Sequence, residues 1–266
     1  MKIAIAYICT GEYIKFWPDF HHSAESHLLP GTRKHYFVFT DGHLAPSDET
    51  TVISQDSLGW PFNTLYRFRM ILRIRERLQA FSHIVFLNAN CVVQRTIDFD
   101  EFFGQGADLV ACVHPGFFNK PSAAHAYERR PRSRACVAGG AVYRAGGLMG
   151  GKTAVFLAAA EELAANIEDD LSRGVLALWH DESHWNAYLH ARVPTLGLAV
   201  HDLTPGYLYP ESWTIPFEPS ILLREKSKVI DVDRIKGHTS RTPANRDRTG
   251  TRGLARSLWA RMTFGR

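Results

Sequence analysis

His83-Ile84-Val85-Phe86-Leu87-Asn88-Ala89-Asn90 sets a short apolar run directly against a polar triplet. The run is too short for an ordinary helix and has no polar face, the pattern of a strand buried on both sides of a sheet. In open α/β sheets, ligands collect outside the carboxyl ends of the strands. These eight residues therefore predict a fold class and a place to look for chemistry. Working outward, Lys2–Ile8 and His35–Thr40 read as strands, the second ending in the turn pair Asp41-Gly42. A helix is expected around Tyr13–Leu29, and another over Asn63–Phe81, where Leu65, Phe68, Leu72 and Leu78 form one stripe. Asp108–His114, Val137–Tyr143 and Lys228–Val232 read as further strands, with helices over Thr153–Arg173 and Asp181–Arg192. Alternation of this kind predicts one α/β domain around a central sheet.

The chain has 266 residues, 45% hydrophobic and 22% charged, enough for one sizeable core. No apolar run approaches the ~20 residues of a membrane span. Met1–Ile8 has no small-residue cleavage site and reads as a first strand rather than a signal peptide. Cys9, Cys91, Cys112 and Cys136 lie far apart in apolar company, which predicts buried reduced thiols and a cytoplasmic location. The net charge of +4 is uneven: Arg246–Arg266 holds six arginines and one aspartate, leaving a body near neutrality. A neutral body excludes a nucleic-acid partner, which needs a basic face on the fold itself. The tail also carries Leu254, Leu258, Trp259, Met262 and Phe264. It fits either a peripheral contact with anionic lipid at the inner face of the membrane or a flexible solvated end.

Three polar groups follow predicted strands: Cys9-Thr10, Asn88-Ala89-Asn90 and His114. Strand ends need polar caps, so each alone is ordinary structure. The densest titratable cluster is Trp179-His180-Asp181-Glu182-Ser183-His184. Two histidines four apart suggest a zinc helix, but Glu182 is two residues from each. At ~100° per residue it points away from both and could not serve a metal-bound water. Carboxylates in a first helical turn suit the positive end of the dipole, and at a cleft they suit catalysis. Gly139-Gly140, Gly146-Gly147 and Gly150-Gly151 allow tight turns or close backbone approach. No P-loop or dinucleotide fingerprint is present.

Six motifs in order complete the reading: Tyr-Ile-Cys-Thr-Gly-Glu-Tyr (7–13), His-Tyr-Phe-Val-Phe-Thr-Asp (35–41), His-Pro-Gly-Phe-Phe (114–118), Tyr-Glu-Arg-Arg-Pro (127–131), Ala-Gly-Gly-Leu-Met-Gly-Gly (145–151) and Trp-His-Asp-Glu-Ser-His-Trp-Asn (179–186). Together they resemble glycosyltransferase family 6, which holds the ABO blood-group transferases, the α-1,3-galactosyltransferase and bacterial relatives. The resemblance implies a single GT-A domain, a Rossmann-like nucleotide-sugar transferase with a mixed sheet, over residues 1–243, and a tail over 244–266. It implies retaining α-1,3 transfer of N-acetylgalactosamine from UDP-GalNAc, or of galactose from UDP-galactose, to an oligosaccharide or glycolipid acceptor. A UDP- or glycan-binding protein without catalysis is the reading outside enzymes, and the intact Asp181-Glu182 pair speaks against it.

Carried over by position, the resemblance places Ile8, Cys9, Thr10 and Tyr13 at the uridine. Arg67, Asn88 and Asn90 fall at the ribose, phosphates or sugar, and Ala145, Gly146 and Gly147 read the donor sugar. Asp181 would hold its hydroxyls, with Glu182 beneath the anomeric carbon. Lys236 and Arg241 would clamp the diphosphate, and His114, Trp179 and Glu211 would line the acceptor side. Mammalian members carry Asp-x-Asp where this chain has Asn88-Ala89-Asn90. Two neutral amides offer little to a hard cation, so the expectation is catalysis without a metal cofactor, as in bacterial relatives with Asn-x-Asn. Pro194–Tyr209 is longer than the mammalian loop, and the mammalian anchor and stem have no counterpart in the sequence.

Overall fold

The computed structural model describes residues 1–235; Lys236, Arg241 and the basic tail 244–266 lie outside the described residues. Ten strands are present among the described residues: β1 Lys2–Ile8, β2 Arg33–Thr40, β3 Thr50–Ser54, β4 His83–Leu87, β5 Cys91–Val93, β6 Leu109–Val113, β7 Arg144–Lys152, β8 Val200–Leu203, β9 Tyr209–Pro210 and β10 Ile221–Leu223. Seven form a mixed sheet in the order β3-β2-β1-β4-β7-β6-β8. β3, β2, β1 and β4 run parallel, and β7 is antiparallel to both β4 and β6. β5, β10 and β9 make a small second sheet. This is a mixed α/β architecture consistent with a GT-A domain.

β1 shows why the sheet forms. Ile3, Ile5 and Tyr7 enter one core and Ala4 and Ala6 the other, the period-two alternation of a strand apolar on both faces. α1 Trp17–His27 covers the first face, where Trp17 and Phe20 pack on Tyr7 and Tyr36. The opposite face is covered by three short helices, α2 Phe62–Leu65, α3 Arg67–Leu72 and α4 Arg75–Leu78. After α5 Phe99–Phe103, the long α6 Thr153–Ser172 joins them, burying Phe156, Ala160, Leu163 and Ile167 along one stripe. α7 Asp181–Ala187 follows and continues through a π-turn at Tyr188–Arg192 into α8 Val193–Leu196; α9 Val232–Ile235 ends the described chain. No helix among the described residues is long and apolar enough to cross a membrane.

Several expectations need correction. The helix over Asn63–Phe81 is broken where Tyr66 and Ile74 leave helical angles, which lets Arg67 turn inward at the start of α3. Val137–Tyr143 is irregular: Val137 N–H donates to Glu128 O, and Tyr127 and Ser122 hydroxyls donate to Val142 O and Gly140 O. The strand lies in the next nine residues instead. Lys228–Val232 is no strand, because Lys226–Lys228 forms a 3₁₀ turn tied to Glu225 and Glu211. All four cysteines are free, but Cys136 is exposed rather than buried. The long Pro194–Tyr209 segment contains β8, the edge strand beside β6.

β7 is a central strand rich in glycine for a steric reason. A Cβ on Gly150 would stand 2.3 Å from Ile84 O, and one on Gly151 would stand 2.2 Å from Asp108 O. Only hydrogen fits between the flanking backbones. Toward its start the strand loosens, since Ala111 pairs with Met149 but Cys112 pairs with Ala145. Gly146, Gly147 and Leu148 are thereby left out of register with β6, a large bulge of the sort found beside active sites.

Candidate active site

β1, β4 and β6 all point their carboxyl ends at one edge of the sheet, and antiparallel β7 begins there. Asn88-Ala89-Asn90, His114 and Ala145-Gly146-Gly147 therefore meet at a single cavity, with Arg67, Trp179, Asp181, Glu182 and Glu211 also in its wall. Asn88 N–H donates to Gly147 O at 2.9 Å, extending the β4–β7 ladder past Leu87. A Cβ on Gly147 would meet Asn88 Nδ2 at 2.8 Å and Leu208 Cδ1 at 3.2 Å. The missing side chain is thus matched to the asparagine amide and to Leu208.

Asp181 and Glu182 open α7 but have different surroundings. Asp181 is 1% exposed, with Arg67 Nη1 2.8 Å from its Oδ2. Burial raises its carboxyl to about 7; Arg67 opposes the rise and Glu182 adds to it. Arg67 also donates to Gly146 O and lies 3.8 Å over the Phe86 ring. Glu182 is partly open to the cavity. Its Oε1 accepts from Tyr143 OH at 2.7 Å and its Oε2 from Gly146 N–H at 2.7 Å. Burial pushes this carboxyl above the ordinary range, and those two donors hold it down. The pair is preceded by His180, a non-glycine residue at φ 54° and ψ −126°. Such a conformation costs roughly 1–3 kcal/mol and persists only where the surroundings impose it. Here His180 is buried edge-on against Trp60, and burial lowers its ring to about 4.

An ionic underlayer fixes the approach to this turn. Buried Glu128 accepts from Leu178 N–H at 2.9 Å and from Arg130 N–H at 2.8 Å. Buried Asp170 accepts from Ser133 Oγ at 2.6 Å and Arg134 N–H at 2.8 Å, and Arg173 lies 2.6 Å away. His184 is spent in this layer, 3.6 Å from Asp170 and lowered by burial to about 4. His180 precedes α7 while His184 sits in the underlayer, so the two share no metal. Among the described residues no three His, Cys, Asp or Glu side chains are grouped to hold a metal ion.

Of the residues expected at the acceptor, His114 accepts at Nδ1 from Gly116 N–H at 2.9 Å. Burial lowers this ring to about 3, so it is neutral and carries its hydrogen on Nε2, as a donor. Glu211 reaches the cavity but is tied to Glu225 N–H at 2.6 Å and Lys228 at 3.2 Å, which together hold its carboxyl below the ordinary range.

The expected uridine residues are split. Tyr13 lines the cavity, whereas the Cys9 thiol is wholly buried in the core, pushed to about 12, and Thr10 is buried behind it. Ile8 is half-buried at the end of β1 and packs toward the α3 side of the sheet. Tyr143 and Lys226 are among the site residues that the sequence does not mark. Tyr143 sits just before the glycine stretch, and its hydroxyl is aimed at Glu182. Lys226 lines the cavity with its ammonium 5.3 Å over the Tyr13 ring. Its backbone is delivered by a long-range pair, Arg224 N–H to Asn90 O at 2.9 Å and Asn90 Nδ2 to Arg224 O at 2.7 Å. A lysine among Arg224, Glu225 and Lys228 gives no local signal; only the β5–β10 pairing brings it to Asn90.

The model of glycosyltransferase family 6 matches residues 1–227. The O-antigen biosynthesis glycosyltransferase WbnI of Escherichia coli is 34% identical over 234 residues, covering 86% of this chain and 96% of that protein. Histo-blood group ABO system transferase 1 of Rattus norvegicus is 29% identical over 230 residues, 79% of this chain and 61% of its own length. Human globoside alpha-1,3-N-acetylgalactosaminyltransferase 1 is 29% identical over 234 residues, 84% of this chain and 65% of its own. The chain spans nearly all of the bacterial relative and under two thirds of these two mammalian ones.

Proposed function

The chain belongs to glycosyltransferase family 6, and from that premise we propose that it moves N-acetylgalactosamine from UDP-GalNAc, with retention, in α-1,3 linkage to a galactose-containing glycan. As a member it is a hexosyltransferase with a nucleotide-sugar donor and a glycan acceptor. The observation that carries the finer reading is the Asp181-Glu182 pair, set between Arg67, Gly146 and Tyr143 at the mouth of the Asn88–Gly147 junction. Breaking the bond to UDP builds positive charge on the anomeric carbon and negative charge on the diphosphate. Glu182, with both oxygens held, faces the first as an anion. Asp181, fixed by Arg67, accepts from sugar hydroxyls.

The leaving charge needs preorganised donors. Lys226 and the amides of Asn88 and Asn90, which line the cavity, are proposed to supply them, with Lys236 and Arg241 adding to them. The acceptor hydroxyl bonds to the anomeric carbon as the phosphate oxygen departs, and its proton leaves on that phosphate. His114 Nε2–H orients the acceptor, and Trp179 and Glu211 line its path. This chemistry is proposed to run without a metal ion, because neutral asparagines stand at the strand end and the Lys226 ammonium shares their cavity. The catalytic domain is proposed to end at 243. Gly147 favours the bulkier 2-acetamido donor.

The test is UDP release from UDP-GalNAc and UDP-galactose with galactose-terminated acceptors, with and without EDTA. The expected result is higher kcat/KM for UDP-GalNAc, unchanged by chelator. Equal or better use of UDP-galactose overturns the donor assignment. Complete loss in EDTA, restored by Mn²⁺, overturns metal independence.

A further inference from the structure

Seven large hydrophobic residues are exposed among the described residues, and five of them, Leu58, Trp60, Phe62, Leu176 and Leu178, belong to two segments that touch. Trp60 meets His180 at 5.3 Å between ring centroids, two residues from Leu178, and both Trp60 and His180 line the cavity. Over Val175–Leu178 the chain alternates, with Val175 and Ala177 buried and Leu176 and Leu178 outward. The leucines are therefore presented by a fixed backbone, held at Leu178 N–H by Glu128 and at Leu176 O by Arg130. Scattered exposed leucines need no explanation, but a cluster at the mouth of a site does.

Charge extends the patch. Arg130 reaches Leu176 O, and Arg129, Arg130, Arg132, Arg134 and Arg173 are all exposed, while Glu128 and Asp170 are buried and Asp169 is partly covered. Glu128 pairs with Arg130, Asp169 with Arg134, and Asp169 and Asp170 with Arg173, so these guanidinium groups are steadied by the acids. Arg173 donates to Arg132 O, which binds this layer to the end of α6. An apolar rim backed by surface arginines complements one occupant in particular, an anionic phospholipid bilayer. The leucines and aromatic rings enter its boundary, and the arginines meet its phosphates.

We propose that the Leu58–Phe62 and Leu176–Leu178 rim, with its arginine layer, docks the enzyme on an anionic membrane so that the cavity opens toward an acceptor carried by a lipid. The role of the cavity rests on the function proposed above; the membrane contact itself does not. Expected behaviour of the full chain is cosedimentation with phosphatidylglycerol-containing vesicles and much weaker binding to pure phosphatidylcholine. Leu176→Ser with Leu178→Ser should weaken the binding on the order of tenfold. Arg132→Glu should weaken it only where anionic lipid is present, and Leu196→Ser, at an exposed leucine elsewhere, should leave it unchanged. Transfer to a soluble lipid-free acceptor should be unaltered in all of these variants. Vesicle binding that survives both rim changes, or is absent in the wild type, overturns the proposal. So does a dimer that the rim changes dissociate while vesicle binding persists, since the patch would then be covered by a second copy. Absence of transfer to any acceptor, with vesicle binding lost as expected in the rim variants, would sink the enzymatic reading and leave the membrane surface standing.

Discussion

The parallel half of the sheet and the β7-β6-β8 half meet at Asn88 and Gly147, yet they are built from different chemistry. In β1, β4 and the Tyr36–Phe39 half of β2 the positions are mostly apolar side chains in one of two cores, and position is set by bulk packing. In β7 the fit is made by missing side chains, and the loops beyond it are fixed by the buried carboxylates Glu128 and Asp170. Apolar packing tolerates volume-conserving change, whereas close backbone contact and buried charge do not. The side proposed to handle the sugar is therefore the more exacting side.

Glu182→Gln tests the exacting side where the effect is largest. It keeps size and removes charge, so kcat should fall by about a hundredfold or more while UDP affinity is retained. A variant keeping over about a tenth of wild-type kcat, a loss of only ~1.4 kcal/mol, removes Glu182 from the mechanism. Stability gives the second contrast. Gly150→Ala sets a Cβ against the β4 backbone and should cost roughly 3 kcal/mol, against about 1 kcal/mol for Ile5→Val in the parallel half. Urea midpoints check this, and equal losses would erase the distinction.

Tyr143→Phe removes a donor from Glu182 without changing shape. The carboxyl should titrate higher, moving the acidic limb of kcat up by about one pH unit with UDP affinity intact. A limb that stays put would make Tyr143 mere packing. Gly147→Ala is milder, because its nearest neighbour is the movable end of Asn88. The proposed preference for UDP-GalNAc over UDP-galactose should shrink about tenfold in the ratio of kcat/KM values while the fold persists. The smallest effect is a slope. Asp181 is raised to about 7 in the fold against roughly 3.9 unfolded, so the folded state holds the extra proton between those values. Its contribution to stability is complete below the lower value and lost as pH rises through the upper. Between pH 5 and 8 the wild-type urea midpoint should fall more steeply than that of Asp181→Asn.

Legibility followed the same division. Lys2–Ile8, His83–Leu87, Thr153–Arg173 and the start of α7 were readable, since periodicity reports burial directly. β7 was not, because a run of glycines carries no period and its strand is dictated by the neighbours on either side. The false strand at Val137–Tyr143 arose from apolar residues that pack as loop side chains around Tyr127 and Tyr143. β5, β9 and β10 are too short to signal themselves.

The sequence alone determined the α/β class, the strand-end asparagines, the carboxylate pair and the family, because these rest on local pattern and ordered motifs. Only the tertiary structure decided that Tyr143 and Gly146 hold Glu182, that Arg67 holds Asp181, and that Arg224 pairs with Asn90 from far along the chain, which brings Lys226 into the cavity wall. It also separated His184 from His180 and sank the Cys9 thiol into the core. The reason is that hydrogen bonds and steric exclusion act between atoms a few ångströms apart, and strand order sets those separations. Periodicity shows which side of an element is buried; it carries no information on which distant element will lie against it.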